Sequence, residues 1–456
     1  MTSPFVKRML ALSIRRCDGC GGQVLDIALD KYVGSDTQKC KKCSFPARVI
    51  IFWVEFLRRS LAIERQKVEK ILADPYARRG IKSVVKTFLY FGVKKPLTVY
   101  APFLVVWDYT YKCNLRCRHC YSNAGASAMK ELNTEEALNV VDQLADFGVV
   151  SLAFSGGEPL MRKDFFEVAK HAVDSGLYVS LATNGTLLNK QTAQKLKKTG
   201  IHYVEISVDG SDAKLHDEFR GVPGAFELAI TGLKNCVGQG LCASVAVTAT
   251  KKNFKDIPKI LELSEKIGAK RFVLFNFVPT GRGVDVVSQD LSPKEREEVM
   301  LFLLDRLLSG SKVAILTTTP QLARVAVSHQ RGVSDEVFLP MAHMQTSKVS
   351  KKAVALADFI GGCGAGRLYC SISPEGDVHP CVFLPIKIGN LKTDNFGELW
   401  LHSEMFQALR NRENLKGSCG TCSFKYICGG CRARAYAYTR DFLAPDPGCI
   451  LVEECT

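Results

Sequence analysis

Three cysteines in the run Cys113-Asn114-Leu115-Arg116-Cys117-Arg118-His119-Cys120 constrain this chain more than any other feature. Three thiolates at CxxxCxxC spacing can hold three irons of a cubane cluster and leave the fourth without a protein ligand. An open coordination position separates a reactive metal site from a sealed structural one. A zinc knuckle and buried structural cysteines are the competing explanations. The first usually pairs its thiolates two and two, and the second follow no spacing. The loop comes just after the apolar run Phe103-Leu104-Val105-Val106-Trp107, so it sits at the end of an expected strand.

Short apolar runs at 103–108, 149–154, 178–182, 203–208, 243–248 and 271–276 alternate with amphipathic stretches. Among the latter are Thr134 to Phe147, with Thr134 as N-cap and Glu135 and Glu136 in the first turn, and Ile257 to Ile267. Six βα units predict a parallel sheet with helices outside it. Ser155-Gly156-Gly157-Glu158-Pro159 directly follows the second run. Leu181-Ala182-Thr183-Asn184-Gly185-Thr186 and Ile206-Ser207-Val208-Asp209-Gly210 end later runs with polar residues, and Phe219-Arg220-Gly221 comes after them. Taken singly, each of these is equally well a turn or a solvated charge.

In this order along the chain, the motifs resemble the signature of radical S-adenosylmethionine (SAM) enzymes. The resemblance implies a 4Fe–4S cluster on Cys113, Cys117 and Cys120 whose open iron chelates SAM. One electron then cleaves SAM to a 5′-deoxyadenosyl radical. It also implies the open six-unit version of the TIM barrel, with polar strand ends meeting at one mouth. Gly156, Gly157, Glu158 and Pro159 would form the SAM site, with backbone oxygens taking the methionine ammonium. Asn184, Ser207 and Arg220 would be further SAM contacts, and an arginine fork suits the carboxylate. Val278-Pro279-Thr280-Gly281-Arg282-Gly283 looks like a segment that lies near the adenine or the substrate in relatives. No catalytic side chain is assigned beyond the SAM cluster.

Eight more cysteines fall at 363, 370, 381, 419, 422, 428, 431 and 449. The CxxCxxxxxCxxC at 419–431, the distant Cys449 and the Gly376-Asp377-Val378-His379-Pro380-Cys381 turn resemble the SPASM extension of radical SAM enzymes. By that analogy Cys363, Cys370, Cys381 and Cys431 would hold one auxiliary cluster, and Cys419, Cys422, Cys428 and Cys449 a second. Cys428 and Cys431 enclose two residues where many members have three. Four disulfides are the rival explanation; the lack of a recognisable secretory signal argues against them. Fully ligated cubanes transfer electrons or staple a fold, since they cannot bind substrate through iron. Zinc in one of these sites is the alternative.

The N-terminal segment carries Cys17-Asp18-Gly19-Cys20 and Cys40-Lys41-Lys42-Cys43. Two CxxC knuckles about twenty residues apart fit a zinc ribbon or a single rubredoxin-like iron. Cys236, Cys242 and Cys455 stand outside any motif; the first two are expected core thiols. From Arg48 to Pro96 about a dozen Lys and Arg face a handful of acids among apolar residues. Such a basic amphipathic arm suits either a membrane surface or packing on the barrel. Its apolar Val49 to Leu57 run is too short to span a bilayer. The expected organisation is a four-cysteine ribbon-like module (1–47), a basic helical connector (48–100), the partial (β/α)6 barrel (101–317), a linker or lid (318–360) and the SPASM domain (361–456).

Formal net charge is +15, which favours an acidic substrate, a membrane surface or nucleic acid without choosing among them. Nucleic acid is disfavoured because no compact aromatic and basic face stands out in the ribbon. Cys428-Gly429-Gly430-Cys431-Arg432-Ala433-Arg434-Ala435-Tyr436 and Ala444-Pro445-Asp446-Pro447-Gly448-Cys449 resemble the ending of radical SAM enzymes from alternative haem and haem d1 pathways. Asp108 and Gly281-Arg282-Gly283 also fit. Those relatives act on tetrapyrrole carboxylate side chains, and the same architecture serves peptide and sulfatase maturases. The expected activity is hydrogen abstraction from a tetrapyrrole carboxylate or a peptide, with a ferredoxin- or flavodoxin-type donor. A cytoplasmic location follows, peripheral at the membrane if the arm binds lipid. A non-catalytic electron-transfer or scaffold protein and a nucleic-acid-directed enzyme are the alternatives.

Overall fold

The computed structural model describes residues 4–35, 40–61, 63–125, 130–329, 336–341, 344–350 and 357–453. Cys455 lies outside them, as do residues 330–335, 342–343 and 351–356 of the expected linker. Helices α1 (Pro4–Ile14), α2 (Val24–Val33), α3 (Lys41–Ser60), α4 (Arg65–Ala73) and α5 (Pro75–Tyr90) come first. A single β-bridge, Arg16 to Gln23, frames the first CxxC. The four-cysteine unit therefore stands on a helical frame where a ribbon would be built from β-strands. Cys40 is the N-cap of α3, so the cysteine unit and the basic connector are one module. Leu25, Leu29, Tyr32 and Leu72 form its small core.

The barrel sheet contains β1 (Leu104–Thr110), β2 (Ser151–Gly156), β3 (Tyr178–Thr183), β4 (Tyr203–Ser207), β5 (Cys242–Ala249), β6 (Arg271–Asn276) and β7 (Ala314–Thr317). Between them run α6 (Thr134–Phe147), α7 (Phe165–Asp174), α8 (Lys190–Thr199), α9 (Ala213–Arg220), α10 (Ala225–Gly238), α11 (Ile257–Ile267) and α12 (Pro293–Leu308). The first six strands lie within two residues of the apolar runs, and all seven pair in parallel. Val105, Trp107, Phe154, Leu181, Val204, Val245 and Phe272 bury one face against the helices. Burial of each such side chain is worth about 1.5–3 kcal/mol. Asn133, not Thr134, caps α6: its side chain accepts from Glu136 N–H, and the Glu136 carboxylate returns the bond. Thr134 instead donates to Asp164 at 3.0 Å.

After α13 (Gln321–His329) and a hairpin of β8 (Glu336–Met341) and β9 (Met344–Ser350), the C-terminal part begins with α14 (Ala357–Ile360). It continues through β10 (Tyr369–Ile372), β11 (Asp377–His379), β12 (Gly389–Asn390), α15 (Phe396–His402), α16 (Glu404–Arg410), α17 (Gly417–Thr421), α18 (Arg432–Thr439) and α19 (Ile450–Glu453). Strand β10 pairs in parallel with β1, giving the order β12-β11-β10-β1-β2-β3-β4-β5-β6-β7. The cysteine-rich part thus covers the open edge of the barrel strands, and the two regions share one sheet. An exposed edge would leave a row of unpaired backbone groups. Trp400 and Arg367 fasten the join, donating to the Val99 and Leu97 carbonyls at 3.1 and 2.7 Å.

Helix α5 seals the opposite end of the barrel. Ser83 donates to Ala101 O at 2.8 Å, and Arg79 donates to the carbonyls of Val149 and Ala145. Tyr76 packs edge-on to Tyr178 and meets His202. Val149, Tyr178 and His202 mark the N-terminal ends of β2, β3 and β4. The helical module therefore sits away from the C-terminal strand ends, where such barrels do their chemistry.

Candidate iron–sulfur and SAM site

The loop carrying Cys113, Cys117 and Cys120 leaves the C-terminal end of β1 and is gripped by four other strand ends. Behind β2, Gly157 N–H donates to Thr110 O and Glu158 N–H to Lys112 O, at 2.7 and 2.8 Å. A Cβ on Gly157 would stand 2.2 Å from Lys112 O, and Gly156 has φ +106°. Here the glycines are required by the backbone of the cysteine loop itself. Behind β3, the Asn184 amide donates to Asn114 Oδ1 at 2.8 Å, so this predicted SAM contact also braces the loop. Behind β4 and α9, Arg116 N–H donates to Arg220 O at 3.1 Å. Behind β6, Arg282 donates to Cys117 O at 3.0 Å, and a Cβ on Gly281 would stand 2.3 Å from Tyr121 O.

Glu158 is fully buried. Its carboxylate accepts from Thr183 Oγ1 and Asn184 N–H, each at 2.9 Å, and from Leu160 N–H at 3.2 Å. Burial raises its pKa to about 7 despite those donors. Pro159 is buried behind it and begins a short 3-10 turn. The Arg220 guanidinium is committed to buried Asp209, at 2.5 Å, and to Cys117 Sγ, at 3.7 Å. Ser207 closes β4 half-buried. Asp209, Asn114 and Thr183 were not singled out from sequence; only the Val208-Asp209-Gly210 and Ala182-Thr183-Asn184 strand ends pointed toward them.

Another residue not predicted, Tyr121, follows Cys120 directly. Its hydroxyl donates to Asp108 at 2.7 Å and meets Ser155 Oγ at 2.9 Å. Burial lifts Asp108 to about 7. The Tyr121 ring packs edge-on to Phe383, centroids 5.1 Å apart, and Phe383 N–H donates to Cys381 Sγ at 3.5 Å. One ring contact therefore links the first thiol set to the second.

Cys363, Cys381 and Cys431 line one cavity with Tyr369, Phe383 and Val278. Cys419, Cys422, Cys428 and Cys449 line another. Cys370, expected in the first group, is not brought to it. Adjacent strand residues point to opposite faces. Tyr369 donates to Cys381 Sγ at 3.2 Å, so Cys370 faces the other way, into the core with Val105, Trp107 and Trp400. The physical reason is β10 pairing with β1, which the sequence pattern alone does not show. Cys236 is buried in that same core, and Cys242 is half-buried in β5.

The donor set fits metal. Cys17, Cys113, Cys381, Cys422 and Cys428 each accept an N–H from the residue two positions on, at 3.3–3.5 Å. Such bonds favour the thiolate. Cys17–Cys40 and Cys20–Cys43 stand 3.8 and 3.6 Å apart, sulfur to sulfur, and all four sulfurs lie within 4.8 Å of one another. A tetrahedron with metal–sulfur bonds of about 2.3 Å has edges of about 3.8 Å. Among the described residues no other cysteine set draws together this tightly, and the wider sets suit clusters rather than one ion.

Residues 107–264 match the radical SAM superfamily, and 363–423 match the SPASM iron–sulfur cluster-binding domain. The chain is 38% identical over 352 residues to an AdoMet-dependent heme synthase of Methanosarcina barkeri, covering 77% of this chain and 97% of that protein. It is 33% identical to the pre-heme d1 synthase of Dinoroseobacter shibae, over 79% and 87% of the two chains. With the mycofactocin maturase MftC of Mycobacterium tuberculosis it shares 32% identity, over 77% and 83%. A crystal structure of Streptococcus suis SuiB bound to S-adenosylmethionine has the same fold, with TM-score 0.63 at 17% identity over 90% of this chain and 88% of that one. The mouth of the barrel, its gripped cysteine loop and the SPASM thiols belong to a radical SAM enzyme, and the chain is a member of that superfamily.

Proposed function

We propose that this enzyme abstracts a hydrogen atom from a carboxylate-bearing side chain of a tetrapyrrole, and that the substrate radical then gives up one electron, so the product is oxidised by two electrons overall. The observation that carries the reading is the 38% identity across 97% of a heme synthase. A formal net charge of +15 suits a polyanionic substrate. Bound at these thiols, the SAM-chelating cluster would supply the electron that cleaves SAM, and the auxiliary clusters a sink for the electron the substrate gives up.

The chain's own groups do the positioning. Backbone around Gly156, Gly157 and Pro159, with Ser207, would receive SAM, while Asn184, Arg220 and Arg282 keep the cysteine loop in place. Arg220 also sets a positive charge against Cys117 Sγ, stabilising the thiolate. The Tyr121–Phe383 contact brings Cys381 close to that loop. Cys363, Cys381 and Cys431 supply three thiolates to the first auxiliary site, leaving one position for a ligand other than Cys370. The second takes Cys419, Cys422, Cys428 and Cys449. Cys17, Cys20, Cys40 and Cys43 hold one tetrahedral zinc or iron. A ferredoxin- or flavodoxin-type protein is the external donor.

The test is 5′-deoxyadenosine formation by anaerobically reconstituted, reduced protein with tetrapyrrole carboxylates or with peptides. Stimulation by tetrapyrroles with loss of side-chain mass supports the proposal. Stimulation by peptides alone overturns it in favour of a peptide maturase, the second reading, which the 32% identity to MftC favours.

A further inference from the structure

Helix α3 has two apolar faces. The inner one, through Cys43, Ala47, Ile50, Ile51 and Val54, packs on α2 and its neighbours. The outer one carries Phe45, Phe52, Trp53, Phe56 and Leu57, which are 77%, 63%, 40%, 52% and 54% exposed. Positions 45, 52 and 56 and positions 53 and 57 follow the helical repeat, so these side chains make one continuous ridge. Leu61 extends it past the helix end, and Ile71 of α4 is exposed nearby in sequence. Single exposed apolar side chains are ordinary, whereas a contiguous aromatic ridge marks a binding surface.

The charges around the ridge are one-sided. Segment 41–73 holds eight Lys and Arg against three acids. Lys41, Lys42, Arg48 and Arg59 are exposed on α3. Among the described residues, Lys41, Lys42 and Arg48 form no ion pair. Glu55, the one acid of the helix, is occupied by the Tyr32 hydroxyl at 3.0 Å and Arg58 at 2.7 Å. Aromatic side chains with flanking cations complement acyl chains beneath anionic headgroups. A second copy would oppose like cations on a chain already at +15.

We propose that α3 lies flat on an anionic phospholipid bilayer. Phe52, Trp53 and Phe56 insert below the headgroups, while Lys41, Lys42 and Arg48 meet the lipid phosphates. The helix does not cross: among the described residues no helix is long and apolar enough to span a membrane. Because the module is docked at the N-terminal strand ends, the barrel mouth at the other end stays clear of this contact.

The chain has three tryptophans, and Trp107 and Trp400 are fully buried, so a change in emission on binding reports Trp53. The experiment uses full-length, metal-loaded protein with vesicles of phosphatidylglycerol and phosphatidylethanolamine, or of phosphatidylcholine alone. Co-sedimentation with the anionic vesicles at low salt, release at high salt, and quenching of Trp53 by brominated lipid are expected. Lys41→Glu with Lys42→Glu and Arg48→Glu weakens binding roughly a hundred-fold or more. Phe52→Ser with Phe56→Ser weakens it while iron, zinc and 5′-deoxyadenosine formation stay unchanged. If the double variant loses metal, Phe45→Ser alone and wild-type quenching decide. The proposal is overturned by protein that stays in the supernatant with anionic vesicles at low salt. It is also overturned by a concentration-dependent dimer that shields Trp53 and ignores vesicles.

Discussion

The cysteine loop at the barrel mouth and the four-cysteine site in the helical module solve opposite problems with the same side chain. The four N-terminal sulfurs lie within 4.8 Å of one another, with Cys17–Cys40 and Cys20–Cys43 at tetrahedral edge length, so a single ion placed there is sealed. The mouth offers only three thiols, and its rigidity comes from neighbours: Asn184, Arg282, Gly157 and Gly281 brace a loop whose metal must keep one position open. A complete ligand set holds itself together through the metal, while an incomplete one needs a scaffold. The second environment is what a reactive centre requires.

The sharpest break between the two regions is Cys117→Ala, which should reduce 5′-deoxyadenosine formation to background. Cys43→Ser should remove the N-terminal ion, read as zinc or iron per chain, and leave SAM cleavage intact. Next in size, Cys381→Ala should cost one auxiliary cluster, seen as lost iron and sulfide and a missing paramagnetic signal, whereas Cys370→Ala retains both. Loss of a cluster in Cys370→Ala would place that thiol back among the ligands. Gly281→Ala should follow, because its φ of +56° and the 2.3 Å approach to Tyr121 O both resist a side chain. Backbone strain of about 1–3 kcal/mol and a displaced loop are expected, read as lower melting temperature and weaker cluster retention.

The last effect concerns pH and is spread over the titration of one carboxyl. Burial raises Glu158 to about 7 from an unfolded value near 4.5. Its contribution to stability is full below the unfolded value and is lost as pH rises through about 7. Glu158→Gln should flatten that loss, on the order of 3 kcal/mol, in urea titrations at pH 4.5 and 7.5. An unchanged slope would mean that the three donors around the carboxylate outweigh its burial.

Much of this was legible because it is local. The strands announce themselves through apolar runs such as 203–208, and CxxxCxxC names its chemistry through spacing alone. Arg220 was legible as important and not as to its partner, since Asp209 reaches it only when β4 and α9 come together. Cys370 was misplaced for a related reason: seven residues after Cys363 it looks like a ligand, until strand parity assigns that side of β10 to Tyr369.

The sequence by itself determined the thiol sets, the order of the βα units and the excess of positive charge, because each is written in neighbouring residues. Tertiary structure alone decided that β10 completes the edge beside β1. It alone also decided that Tyr121 and Phe383 join two metal sites, and that the aromatic ridge of α3 faces outward. Those outcomes depend on which surfaces meet, and a surface is assembled from residues far apart in the chain.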